Sequence, residues 1–120
     1  MKYYLAGPMR GMPNSNYASF EEARTRLRNA GYHVYCPAEG NTELATDESF
    51  ASQMERCVEA VLKSDAVIVL PGWTKSEGAK VEVAVAVATG KRVFAYYQHR
   101  PHFIEELDNI KIVTRAEMLK

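Results

Sequence analysis

A chain of 120 residues, 47% hydrophobic and 25% charged, has the balance of an ordinary globular protein and is long enough to close one core, so a single domain over residues 1–120 is expected. Fifteen Lys and Arg against fifteen Asp and Glu leave no net field, which argues against nucleic acid or an anionic membrane as a partner. There is no leader-peptide pattern, no apolar stretch near the ~20 residues of a membrane helix, and too few cysteines (Cys36 and Cys57) for a disulfide framework, so a reducing cytoplasm is the expected compartment.

Strand and helix patterns alternate along the chain. Tyr3 to Ala6 reads as a first strand, ending in Gly7-Pro8-Met9-Arg10-Gly11. Phe20, Ala23, Leu27 and Ala30 then recur at helical spacing, with Asn14, Ser15 and Asn16 as capping candidates and Gly31 as a stop. Tyr32 to Cys36 is a second strand closed by Pro37, and the polar stretch from Gly40 to Asp47 is expected to loop over one end of the sheet. A helix is expected from about Ser49 to Lys63, with Phe50, Met54, Val58, Val61 and Leu62 on its apolar side. Ala66 to Leu70 is a continuous apolar run closed by Pro71-Gly72, as expected of a parallel strand covered on both faces. Arg92 to Tyr97 gives a fourth strand, Phe103 to Leu107 one helical turn, and Lys111 to Thr114 a short fifth strand. The alternation predicts an α/β fold, a flavodoxin-like or Rossmann-like three-layer sandwich with a parallel sheet of four to five strands.

The segment from Ser76 to Thr89 carries the strongest functional signal. V-E-V-A-V-A-V-A alternates as a strand would, but the segment is longer than a typical strand, rich in alanine, and followed by Gly90 where a helix C-cap falls, so a helix is predicted. Nearly all of it is apolar, leaving Glu82 as an isolated carboxylate. A carboxylate near a helix N-terminus, just past the C-terminal end of a parallel strand, lies where open α/β sheets bind ligands. The alternative for Glu82 is a solvent-facing residue that favours the helix dipole. Because one face of this helix packs on the sheet and the other needs a second partner, a homodimer or higher homo-oligomer is expected.

Y-L-A-G-P-M-R-G at the N-terminus together with L-P-G-W-x-x-S-x-G-A-x-x-E resembles the nucleoside 2-deoxyribosyltransferase superfamily, in particular its DUF4406 branch, with nucleoside 5'-monophosphate N-glycosidases as relatives. The resemblance runs from residue 3 to about residue 97. It implies that Glu82 is the nucleophile on the anomeric carbon and that Tyr4, expected at the end of the first strand, holds its carboxylate. It further implies that Arg10 and Ser76 bind a 5'-phosphate and that a neighbouring subunit helps close the site. The residues agree with an anion site, since a helix N-terminus, a hydroxyl and Gly78 supply donors and an arginine adds a bidentate partner. Gly7 belongs to the same loop system, and Trp73 is a candidate to cover the ligand or stack on a base, with packing against the protein body as the alternative.

One departure stands out. Where the resemblance implies an aspartate that assists the departing base, this chain has Cys57. Glu55 and Glu59 lie about 200° around the helix from it and do not substitute, which leaves Asp47 as a distant candidate, and Cys57 itself reads as a small buried residue. Asp65, at the far end of its strand, is expected in a turn or cap. His99 and His102 in H-R-P-H lack a metal-ligand pattern and are expected in a loop, and His33 has no visible partner; no metal or organic cofactor is implied. The expected function is hydrolysis of a (deoxy)nucleoside 5'-monophosphate to base and sugar phosphate. The alternatives are deoxyribosyl transfer between bases, a phosphoribohydrolase echoed by Pro71-Gly72 and Glu82, and a nucleotide-binding protein without catalysis.

Overall fold

The structure, a computed structural model, describes residues 1–9, 16–37, 50–97 and 100–103. Five strands, β1 (Lys2–Ala6), β2 (His33–Tyr35), β3 (Ala66–Val69), β4 (Arg92–Tyr97) and β5 (Arg100–Phe103), form one sheet in the order β2-β1-β3-β4-β5. The first four are parallel, and β5 runs antiparallel to β4 with Tyr97 opposite Arg100. Three helices, α1 (Tyr17–Asn29), α2 (Phe50–Lys63) and α3 (Glu77–Ala88), cover the sheet. The expected three-layer α/β sandwich is therefore observed.

Strand alternation sends successive side chains to opposite faces and builds two cores. Leu5, Ile68, Leu70 and Val34 pack with Phe20, Ala23 and Leu27 of α1 on one face. Tyr4, Ala6, Val67, Val69, Val93 and Ala95 pack with Val61 of α2 and Ala79, Val83 and Ala86 of α3 on the other. The edge strand β2 is blunted by Arg28, whose guanidinium donates to the Val34 carbonyl at 2.7 Å. At the N-terminal edge of the sheet, Asp65 accepts from the Lys2 backbone N–H at 2.7 Å, in keeping with the turn role expected for it. No helix among the described residues is long and apolar enough to cross a membrane.

Several expectations are corrected. H-R-P-H is not wholly loop, because Arg100–Phe103 forms the edge strand β5, where Pro101 is tolerated at the sheet margin. Phe103 thus ends a strand instead of opening a helical turn, while 104–107 and the expected strand at 111–114 lie outside the described residues. Leu62 is 50% exposed, since the inward face of α2 runs through Cys57, Ala60 and Val61. Asn16 occupies the α1 N-cap position but in a left-handed conformation and without a side-chain cap bond; Asn14 and Ser15 fall outside the described residues.

Candidate functional site

The chain places its irregular segments at the C-terminal edge of the parallel strands. Connections from β1 and β3 depart to opposite faces, α1 on one and α3 on the other, which opens a crevice at the sheet's switch point. Gly7 ends β1 so close to β3 that a Cβ there would meet the Leu70 Cβ at 3.0 Å, which explains the glycine. After β3, Gly72 takes φ 86 and turns the chain into a 3-10 turn, Trp73–Lys75. Ser76 then caps α3, its Oγ accepting the Ala79 N–H at 3.2 Å.

A cavity of about 400 Å³ opens between these segments and α2. Its lining includes Gly7 from the end of β1, Cys57 from α2, and Ser76, Gly78 and Glu82 from α3, with Lys75 beside them. Gly7, Ser76, Gly78 and Glu82 are thus brought together as expected from the sequence. Met9, from the N-terminal motif, also lines the cavity, as do Gln53, Met54 and Pro37, which carry no motif that would have singled them out. Arg10 and Asp47 lie outside the described residues. Trp73 is not among the lining residues; it is 6% exposed within the core on the α2–α3 face, where burial of its large apolar ring outweighs a place over a ligand.

The floor of the cavity is chemically unusual. Glu82 is 5% exposed and is, among the described residues, the buried side chain that carries a carboxylate. Tyr4, in the middle of β1 and not at its end as expected, donates its hydroxyl to Glu82 Oε2 at 2.6 Å. Cys57, from α2, lines the same cavity as Glu82, and its thiol favours the ionised carboxylate. Tyr35, opposite Tyr4 in register, stacks on its ring at 5.7 Å and 18°. Glu55 and Glu59 are exposed, and Glu59 pairs with Lys63 at 2.7 Å, so neither approaches the floor.

These positions set the protonation states. Burial pushes the Glu82 carboxyl up from 4.5 to about 7, against the Tyr4 hydroxyl and the Cys57 thiol, which favour the ion. Burial, then the negative charge of Glu82, pushes the Cys57 thiol up to about 11. The same causes hold the Tyr4 phenol well above its usual range. Near neutrality the floor therefore has one titrating group flanked by protonated donors. Among the described residues no group of three His, Cys, Asp or Glu is placed to hold a metal ion.

Comparison with known proteins adds a family and a fold. The family model DUF4406, a domain of unknown function, matches residues 1–95. No curated protein matches the sequence. Among solved structures, the chain is similar to the 2-deoxyribosyltransferase of the psychrotolerant bacterium Bacillus psychrosaccharolyticus, described as a biocatalyst for nucleoside synthesis. The TM-score is 0.61 at 21% identity, over 82% of this chain and 74% of that one, so the likeness is one of fold.

The Glu82 carboxyl gives a stability prediction. In the unfolded chain it titrates near 4.5 and in the fold near 7, so between these values the native state holds a proton that the unfolded chain has released. Stability therefore falls as pH rises through that window, by about 3 kcal/mol for this group. Chemical denaturation at pH 5 and pH 8 is expected to show this loss in the native protein and its absence in Glu82→Gln; an equal loss in both would contradict it.

Proposed function

The chain belongs to the DUF4406 family, and from that premise and the buried, tyrosine-anchored carboxylate at the cavity floor we propose that it is a nucleotide N-glycosidase. The single observation that carries the reading is the 2.6 Å bond from Tyr4 to Glu82 beneath an open cavity. Substrate is a (deoxy)nucleoside 5'-monophosphate, and the products are free base and (deoxy)ribose 5-phosphate. No cofactor is required, and the setting is cytoplasmic.

Breaking an N-glycosidic bond builds positive charge on the sugar, which an adjacent carboxylate stabilises and then traps. The ionised Glu82 attacks the anomeric carbon; the bond to the base breaks, its electron pair leaving on the base nitrogen, which takes up a proton. Water then attacks the same carbon, frees the carboxylate and gives up a proton. Tyr4 holds one carboxylate oxygen so that the other is presented upward into the cavity. Deoxyribosyl transfer uses the same first step with a second base in place of water, and the fold shared with a 2-deoxyribosyltransferase supports it as the second reading.

The 5'-phosphate is assigned to Ser76, Gly78 and Arg10. Ser76 and Gly78 lie at the N-terminal turn of α3, where unpaired backbone N–H groups favour an anion. Ser76 accepts from Ala79 and still has its own hydroxyl proton to donate. Arg10, three residues after Gly7 in the sequence, is assigned as a charged fork for the same group. A homodimer is also proposed, supported by Val81 and Val87, 45% and 46% exposed on α3. Sedimentation at micromolar concentration is expected to give a dimer or larger species; a monomer would reject this.

Incubation with a panel of nucleosides and monophosphates is expected to release base from monophosphates alone, with a rate that rises with pH through about 7 as Glu82 ionises. Glu82→Gln is expected to keep ligand binding and lose turnover, whereas Arg10→Ala is expected to weaken monophosphate binding about tenfold or more and leave nucleoside binding little changed. Equal rates on nucleosides and monophosphates would reject the phosphate assignment. Turnover by Glu82→Gln at the native rate would remove Glu82 from the chemistry.

A further inference from the structure

Cys57 stands beside both partners of the Tyr4–Glu82 bond. It lines the cavity from α2 together with Glu82, packs against the core that holds Tyr4, Ala79 and Val83, and acts on the charge of both Glu82 and Tyr4. We propose that Cys57 is a positioning residue for Glu82: its S–H is a second donor to the carboxylate, reaching from α2 while Tyr4 reaches from β1, so that Glu82 is held from two elements at once. This deepens the glycosidase reading and rests on it for its consequence in catalysis, though not for its structural content.

The argument is one of donors and charge. A carboxylate has two oxygens and several lone pairs, and in an apolar layer each unmet lone pair is costly. Tyr4 meets one oxygen, and without another donor the group would be free to rotate about that bond or to take a proton. A thiol is a weak donor, but here it remains S–H across the neutral range, so it can only donate to the ion. A carboxylate in its place would set two acids against each other in a buried site, where like charges share a proton. With a thiol, Glu82 titrates as one group.

Among the described residues the surroundings leave little else to do this. Tyr4 from β1 and Cys57 from α2 act on Glu82 among the described residues, and Arg56, on the same helix as Cys57, acts on the thiol. Lys75 and Glu77 are the other charged residues of the cavity lining among the described residues, and β3 and β4 present Val67, Val69, Val93 and Ala95 to this layer.

The test needs no substrate. In protein labelled with 13C at the glutamate side-chain carboxyl, the Glu82 resonance is assigned by its loss in Glu82→Gln and titrated in native, Cys57→Val and Cys57→Ser proteins. Valine fills the site without a donor, and its midpoint is expected about 0.5 to 1 pH unit above the native one; serine restores a donor and is expected to return the midpoint to the native position or below. If Cys57→Val does not fold, Cys57→Ala is compared with Cys57→Ser in its place. A valine midpoint equal to the native one, or a serine midpoint displaced as far as that of valine, overturns the proposal. Failure of native protein to release base would reject the glycosidase reading and leave this result standing. Where base is released, the acidic limb of the rate profile is expected to move with the NMR midpoint in the valine variant and not in the serine variant.

Discussion

A carboxylate removed from water persists as an ion only if fixed dipoles replace the solvent it has lost, and in this protein that replacement is the 2.6 Å bond from Tyr4 to Glu82. Burial of a charge costs several kcal/mol, and a hydrogen bond to a charged group returns roughly 1.5 to 3. Burial outweighs what Tyr4 and Cys57 return to the ion, which is why its carboxyl titrates near 7. A group poised there is half ionised in neutral solution, a condition suited to chemistry and poorly suited to a purely structural ion. The bond also joins β1 to α3, so the same contact ties the sheet to the cavity floor.

The fold makes this contact possible by layering. Tyr4 points to the face covered by α2 and α3, because alternate residues of β1 face opposite layers, and the parallel register sets Tyr4 beside Val67 of β3 and Tyr35 of β2. The valines of β3 make that layer dry, and Tyr35 limits the freedom of the Tyr4 ring. Ser76 fixes the start of α3, and Glu82 follows six residues later on the inward face shared with Ala79, Val83 and Ala86. The anion-attracting helix start and the carboxylate thus lie about a turn and a half apart along one helix, a spacing set by helix rise.

Much of this was legible in the sequence where periodicity and punctuation were strong. The apolar run Ala66 to Leu70, the alanine-rich length of α3 and the glycines after strands located the sheet and the carboxylate, and the paired motifs pointed to Tyr4, Ser76 and Glu82. Short or polar elements were harder: β5 contains arginine, proline and histidine, and becomes a strand through its pairing with β4. Leu62 follows the helical pattern yet faces outward, because the packing of α2 is decided by the neighbouring α3. The same adjacency brings Cys57 to Glu82 across 25 residues of sequence, and nothing local to either residue encodes it. Trp73 was ambiguous for the opposite reason, since a loop aromatic is equally suited to a ligand or a core and tertiary packing chose the core.

The central claim is that the Glu82 carboxylate bonds to the sugar during turnover. A monophosphate carrying fluorine at the 2' position of its sugar destabilises the oxocarbenium-like state and slows release of the trapped sugar, so the intermediate accumulates. Mass spectrometry of peptides after reaction with such a compound is predicted to find the sugar phosphate on the peptide containing Glu82, and on no peptide of Glu82→Gln. Base release in step with native turnover together with an adduct on a different residue would contradict the account.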